Sequence, residues 1–347
     1  MLRRAMMAGV HGPPPAASVY LAIAHNGSPY VSAYEWLPGF GSKVADPATI
    51  PGTQGNGVRF SPGGGALAVA HAGTPFLSVY PWTGTFGAMY ASPSSLPGGT
   101  GSGVAFSPFG GAVALANAGS PYVSAYPWSS GGFGAKYSDP STLPAGAGAG
   151  VEFSPTGGAV AVAHSTSPYV SAYAWAGGFG AKYSDPLTLP AGNGMGVDFS
   201  PSGGGIAIAH STTPFVSAYP WSDATGFGTK HANPATLPGG NGFSVAFSAL
   251  GGAVAVGHAG AAPFVAVYAW NDVTGFGARF SNPATTPPNV VRSIDFAPDN
   301  TAIAMGHSNT PFVSAYPWSD ATGFGTRYSN PSTLPPGIGY SVAFGQT

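Results

Sequence analysis

All seven tryptophans of this chain stand at one position of an internal repeat: Trp36, Trp82, Trp128, Trp175, Trp221, Trp270 and Trp318, spaced 46, 46, 47, 46, 49 and 48 residues apart. A period of this size marks copies of one supersecondary unit that bury their apolar faces only against each other. Each unit reads Gly-Val-x-Phe-Ser-Pro, a Gly-rich turn, Ala-Val-Ala-Val-Ala-His, a polar turn, Pro-Tyr-Val-Ser-Ala-Tyr-Pro-Trp, then Gly-Phe-Gly-x-Lys-Tyr-Ser-Asp-Pro and a Pro/Gly loop. The best-kept copies are residues 150–185 and 196–234. The period also decides how to read 55 Gly and 36 Pro in 347 residues, a composition that without a period signals disorder. Disordered chains are poor in aromatics, whereas here 21 Phe, 16 Tyr and 7 Trp recur within the repeat.

Residues 66–71, Ala-Leu-Ala-Val-Ala-His, alternate small and large side chains with period two, as in a strand packed on both faces. Residues 215–219, Phe-Val-Ser-Ala-Tyr, are aromatic and β-branched, again strand-like. Gly-Gly and Ser-Pro between such runs mark turns. No segment carries a useful 3.6-residue period, so almost no helix is expected. Each unit then holds four short strands: a (Val-x-Phe), b (Ala-Val-Ala-Val-Ala-His), c (Val-Ser-Ala-Tyr) and d (Phe-Gly-x-Lys-Tyr). Four strands in 46–49 residues match a propeller blade. The expected fold is all-β: a seven-bladed β-propeller of four-stranded antiparallel blades.

The chain ends predict how the ring closes. The first unit has strands b, c and d but Pro13-Pro14-Pro15 where strand a should stand, and the chain finishes on an orphan Ser341-Val342-Ala343-Phe344. Pairing that last strand with the first blade removes two open sheet edges. Residues 1–15 read as an N-terminal extension and 16–347 as one propeller. The two arginines near the N-terminus precede no apolar stretch of signal-peptide length.

The segment Phe296-Ala297-Pro298-Asp299-Asn300-Thr301-Ala302-Ile303-Ala304 resembles strand a, turn and strand b of the WD40 family. Likewise His-x-x-x-Pro-Tyr-Val-Ser-Ala-Tyr-Pro-Trp resembles that family's b–c turn and strand c. Tyr316 and Pro317 fall where the family carries its Trp and Asp. The Gly-His pair and the turn Asp are absent, so the family's hydrogen-bond network is not implied here. The Ser-Pro-Tyr-Val-Ser-Ala-Tyr-Pro-Trp signature also resembles repeats of bacteriophage and uncultured-virus proteins, which implies a virion or extracellular setting.

Charged residues make up 6 % of the chain, with Lys+Arg 10 against Asp+Glu 11. That balance offers no basic stripe for nucleic acid and no polybasic segment for anionic lipid, and no apolar run reaches the ~20 residues of a membrane span. With no Cys there are no disulfides, thiolate zinc sites or Cys nucleophiles. No Gly-x-Ser-x-Gly stands between a strand and a helix. Gly-rich runs such as 192–196 lead into strands, whereas phosphate loops need a helix N-terminus.

Four features compete as sites. His25, His71, His164, His210, His258 and His307, with Asn117 in the seventh slot, form a ring on strand b. Their expected separation of about ten ångström exceeds what one zinc centre allows, so they are expected to hydrogen-bond a neighbouring loop and no metal is expected. The recurring Trp, Tyr and Phe either fill the wedges between blades or stack on sugars with avidity. The middle of strand a reads Arg59, Ala105, Glu152, Asp198, Ala246, Asp295 and Ala343, and so concentrates charge where the blades differ. Arg59, Glu152, Asp198 and Asp295 are therefore the candidate channel site, for a cation, a water network or a polar ligand. The loops between strands d and a, from Asp139 to Pro144 and from Asp185 to Pro190, are the candidate partner surface.

These features suggest a non-enzymatic interaction module without cofactor, such as a virion or tail-associated propeller meeting a protein or glycan partner. A glycan-binding lectin is the alternative, separable by whether the Trp rings are exposed. An enzyme using the channel mouth is a third reading, since Glu152 and Asp198 lie on neighbouring blades.

Overall fold

The computed structural model describes residues 18–347, and the expected N-terminal extension, residues 1–15, lies outside them. Among the described residues there is no helix. Six sheets have four antiparallel strands, and in the second blade strand d shrinks to a single bridge between Trp82 and Phe86. The last strand, Gly339–Gln346, pairs antiparallel with the first, Val19–His25, in the register Leu21↔Phe344, Ala22↔Ala343, Ile23↔Val342. A further bond from Thr347 N to Ser18 O at 3.0 Å completes the closure predicted from the orphan strand. The seven innermost strands each touch the next around the axis, so the ring is shut.

The alternation on strand b explains the wedges. Its alanines present a thin face and its Val, Leu or Ile residues a thick one. Each inter-blade core sets the thin face of one blade against the thick face of the next: Ala112, Ala114 and Ala116 of blade 3 meet Val160, Val162, Tyr173 and Trp175 of blade 4. Seven such clusters fill seven wedges. The tryptophans, 2–8 % exposed, sit edge-on to three other rings. Trp175, for instance, meets Tyr137 of the preceding blade and Phe153 and Phe179 of its own at 5.0–5.3 Å, a geometry worth about 0.5–1.5 kcal/mol per pair beyond burial. Blade 1 carries Val44 where the others end strand d on a ring, and Tyr20 fills the gap beside Trp82 instead.

Strand a of each blade begins beneath the b–c turn of the blade before. A Cβ on Gly55, Gly101, Gly148, Gly194, Gly242 or Gly339 would come within 2.2–2.4 Å of a carbonyl oxygen in that turn, so those six junctions need glycine. Blade 7 has Val291 there. The alanine it would strike on strand b of blade 6 is replaced by Gly257, where a Cβ would lie 2.7 Å from the Val291 side chain. The outer ends of blades 5, 6 and 7 carry a further tie. Asp223, Asp272 and Asp320 each accept from the indole N–H of their own blade's Trp at 2.7 Å. Their second oxygens accept from the a–b turn of the preceding blade, as Asp320 does from Ser248 Oγ at 2.9 Å and Gly252 N at 3.0 Å. Blades 1–4 have other residues in that turn and lack the tie.

Candidate functional site

Strand a is longer than Val-x-Phe: it runs over six residues, Gly-x-Gly-Val-x-Phe, with a bulge at its start. In blade 4 Gly148 pairs with His164 and Gly150 with Ala163, which leaves Ala149 as the extra residue. The same bulge recurs in every blade. The bulged residues are Asn56, Ser102, Ala149, Met195, Phe243, Arg292 and Tyr340, seven different side chains at one repeat position. Bulges re-aim side chains and break pairing locally. Here they place a variable tier at the channel end that shares its face with the d–a loops and b–c turns. The sequence reading missed this tier because Gly-x-Gly looked like a turn leading into a strand. The signal was present, since no two repeats agree at that position.

The second tier is the one expected. Arg59, Glu152, Asp198 and Asp295 all line one cavity of about 180 Å³ together with bulge residues such as Asn56, Met195 and Arg292. Arg59 and Glu152 form an ion pair across the axis. They also line a second cavity, of about 490 Å³, that opens on the opposite face among the a–b turns, so the pair divides the channel. Arg59 keeps 37 % of its side-chain surface accessible, and a charge that reaches the lumen escapes most of the desolvation cost of a buried ion pair. The Glu152 charge holds the guanidinium above its ordinary range; burial opposes this, and Asp295 and Asp198 add to it.

The two aspartates are fixed by the next strand a in each case. Asp198 Oδ2 accepts from Phe247 N at 2.7 Å and its Oδ1 from Phe199 N at 2.9 Å. Asp295 Oδ2 accepts from Phe344 N at 2.7 Å. Burial pushes the Asp198 carboxyl up to about 8, with Glu152 adding to the shift and the Phe247 amide and Arg59 opposing it. Burial likewise raises Asp295 to about 6, against the pull of Arg59 and the Phe344 amide. Near neutral pH, beside the Glu152 carboxylate paired with Arg59, Asp295 stands as a carboxylate and Asp198 as a carboxylic acid, the division of labour that acid–base chemistry needs.

The other candidates take structural places. In five blades the strand-b histidine points Nε2 at a serine hydroxyl of its own strand c at 2.9–3.0 Å: His25–Ser32, His71–Ser78, His164–Ser171, His210–Ser217 and His307–Ser314. The Nε2 partner is thus in the same blade, while His25 also reaches the adjoining b–c turn through Nδ1 to Gly27 O at 2.8 Å. His258, whose blade has Ala266 in the serine's place, turns to Ala259 O and Gly239 N instead. Burial lowers the first five to about 4, so they are neutral at pH 7. No group of three metal-ligating side chains converges among the described residues.

The d–a loops share a face with the b–c turns, and the residues singled out there divide into exposed aspartates and buried prolines. Asp139 and Asp185 pair with Lys136 and Lys182. Pro144 and Pro190 are buried, so the surface of these loops is made by their other residues. Most strand-c tyrosines anchor the preceding loop from below, as Tyr219 does through its hydroxyl to Thr188 O at 2.7 Å.

No protein family and no curated protein matches this sequence. Solved structures do match its fold. A protein proposed to be a 6-phosphogluconolactonase, from Bacteroides uniformis, superposes with a TM-score of 0.71 at 14 % identity, covering 95 % of this chain and 99 % of its own. The periplasmic gluconolactonase of Pseudomonas aeruginosa gives 0.66 at 17 %, covering 94 % and 98 %. Kuenenia stuttgartiensis hydrazine synthase gives 0.63 at 16 %, covering 86 % and 91 %. At these identities the likeness establishes the propeller fold. It also corrects the expected function: these relatives in fold are enzymes, two of them lactonases by name, rather than virion, tail or attachment proteins. The lectin reading fails on the tryptophans, whose rings are shut inside the wedges.

Proposed function

We propose that this chain is a hydrolase of small sugar-derived lactones, acting in the channel on the face of the d–a loops. The observation that carries the reading is the convergence of Arg59, Asp198 and Asp295 in one small open cavity of a chain with only 6 % charged residues. The lactonase names among the fold relatives support it. In the reaction the Asp295 carboxylate takes a proton from water, which attacks the lactone carbonyl. The charge that develops on the carbonyl oxygen meets the Arg59 guanidinium. The ring C–O bond then breaks, and the Asp198 carboxyl protonates the departing alkoxide. One water is added across the ester, and the hydroxy acid leaves with both aspartates reset by proton exchange.

The reading rests on a small-molecule ligand, and the near-neutral charge supports a partner set without nucleic acid or lipid surface. As for ancestry, we read the blades as WD40-like. The blade 7 turn supports this, with Asn300 at φ 61° and Thr301 N bonded to Asp299 Oδ1 at 3.0 Å. The test is proton release from glucono-1,5-lactone and 6-phosphogluconolactone, corrected for spontaneous opening. The expected profile is bell-shaped, with apparent limbs near 6 and 8 set by Asp295 and Asp198. No turnover above background on either lactone, or a rate flat across those limbs, overturns the proposal.

A further inference from the structure

Arg292 is the bulged residue of blade 7, three residues before Asp295 on the same strand, and it lines the same cavity. Its guanidinium lies between two aromatic faces supplied by the neighbouring blades: the Phe243 ring, 5.5 Å from Cζ, and the Tyr340 ring, 5.0 Å away. Both contacts are within cation–π range. A third contact comes from the b–c turn of its own blade, where Nε donates to Ser308 Oγ at 2.8 Å. The ion pairs among the described residues are Lys43–Asp46, Arg59–Glu152, Lys136–Asp139 and Lys182–Asp185, and none involves Arg292.

A long side chain held on both faces and at Nε has lost most of its rotamer freedom before any ligand arrives, which removes much of the ordering cost of binding. What remains free is the pair of terminal NH2 groups, a planar fork that matches the two oxygens of a carboxylate or phosphate. The strand geometry sets this fork one tier above the aspartates, toward the solvent end. Six other residues occupy this repeat position, and none of them is charged. The ring therefore offers such a fork once.

We infer that Arg292, clamped by Phe243 and Tyr340, is an oxyanion-binding subsite at the channel mouth, so that the preferred substrate is a lactone bearing a phosphate or carboxylate substituent away from its reacting carbonyl. The choice of lactone rests on the proposed hydrolase reading; the oxyanion subsite stands apart from it. The anionic end lies against the fork while the ester reaches down to Asp295 and Asp198. A neutral sugar lactone makes only the lower contacts.

Calorimetric titration of the full chain with 6-phosphogluconate, gluconate and inorganic phosphate tests the inference without turnover. Wild type is expected to bind 6-phosphogluconate, and Arg292→Met to bind it at least about tenfold more weakly, the usual loss for charge-assisted hydrogen bonds. Arg292→Lys, which keeps the charge but loses the fork, is expected to fall in between. Met195 already fills this position in blade 5, so the Met variant is expected to melt as wild type does. Gluconate bound as tightly as 6-phosphogluconate, with both lost in Arg292→Met, supports the subsite and assigns it to a carboxylate. Phosphate and 6-phosphogluconate lost together assign it to a phosphate. Wild type that binds none of the three probes, or Arg292→Met within twofold of wild type for all of them, overturns the inference. Asp198→Asn with Asp295→Asn separates the two readings, since binding is expected to survive there while hydrolysis is lost. If wild type opens no lactone yet binds anions through Arg292, the hydrolase reading falls and the subsite stands.

Discussion

Between blades 3 and 4 Trp175 meets Tyr137, Phe153 and Phe179; between blades 4 and 5 Trp221 meets Tyr183, Phe199 and Phe227. Where the set changes, a ring replaces a ring, as His231 and Phe280 do beside Trp270 and Trp318. A few residues inward along the same sheets the rule reverses. The bulge tier has seven different side chains, and the tier below mixes Arg59, Glu152, Asp198 and Asp295 with three alanines. Packing demands the same volume in every wedge, because seven blades share one angle around the axis. The lumen imposes no such demand, and a unique site can be built only where repeats are allowed to differ. Stability is thus concentrated in the outer strands and chemistry in the inner one.

The largest effect should come from the one strand that serves both regions. Deleting residues 340–347 removes Phe344 from beside Trp36 and leaves the first strand with an open edge. The expected result is loss of a cooperative melt and aggregation on size exclusion. A truncated chain that melts like the full one would show that the wedges hold without closure. Next, Trp175→Ala should cost about 3–5 kcal/mol of unfolding free energy by denaturant titration, the usual range for an aromatic core deletion. Its activity per folded molecule should be unchanged. Asp198→Asn and Asp295→Asn should do the converse: each lowers lactone hydrolysis by about 10²–10⁴-fold, while the melting temperature holds for Asp295→Asn, whose amide oxygen keeps the Phe344 N bond, and falls only slightly for Asp198→Asn, whose amide keeps one of two backbone bonds. A variant of either kind that moves both properties equally would dissolve the contrast.

Smaller effects sharpen it. Asp272→Ala, which unties blade 6 from blade 5, should cost about 1–3 kcal/mol, the range for hydrogen bonds to a charged group. The tie has no counterpart in blades 1–4, so protection against amide exchange should fall first around blades 5 and 6. The pH dependence of stability should also divide by region. The five histidines lowered to about 4 take up protons more readily when unfolded, so they withdraw stability as pH falls from about 6.5 toward 4. Asp198 and Asp295, raised to about 8 and 6, bind protons more tightly when folded, so they withdraw stability as pH rises from about 4 through those values. His164→Asn, which copies Asn117, should shallow the acid limb of a melting-temperature profile by about a fifth and leave the other limb alone. An unchanged acid limb would mean that these histidines are not what acid unfolds.

How much of this was legible in the sequence follows the same division. Wedge residues recur, so the Trp spacing and the alternation of Ala with Val or Leu disclosed blades, strands and closure. Asp198 and Asp295 were legible because they break a repeat at a position where alanine also stands. The bulge tier was not, because a bulge depends on hydrogen-bond register, and Gly-x-Gly reads equally as a turn. The burial of Pro144 and Pro190 was hidden for a related reason, since loop composition does not say which side of a loop faces the ring. Activity was the least legible, because acid–base competence at Asp198 comes from burial and from Glu152, 46 residues away in sequence.

The Val291–Gly257 exchange bears on how such a ring can be inherited. Seven near-copies invite duplication and shuffling, and the glycine that opens strand a at the other junctions, facing alanine at five and Gly306 at the junction of blades 7 and 1, would accept many orders. Val291 accepts only a predecessor with glycine at its strand-b position, and among blades 1–5 that residue is Ala24, Ala70, Ala116, Ala163 or Ala209. Blades 6 and 7 therefore form a pair that recombination would tend to move together. Arg292 is the very next residue after Val291, and Phe243 lies on the blade that Val291 requires, so the steric key keeps the guanidinium beside one of its two aromatic walls.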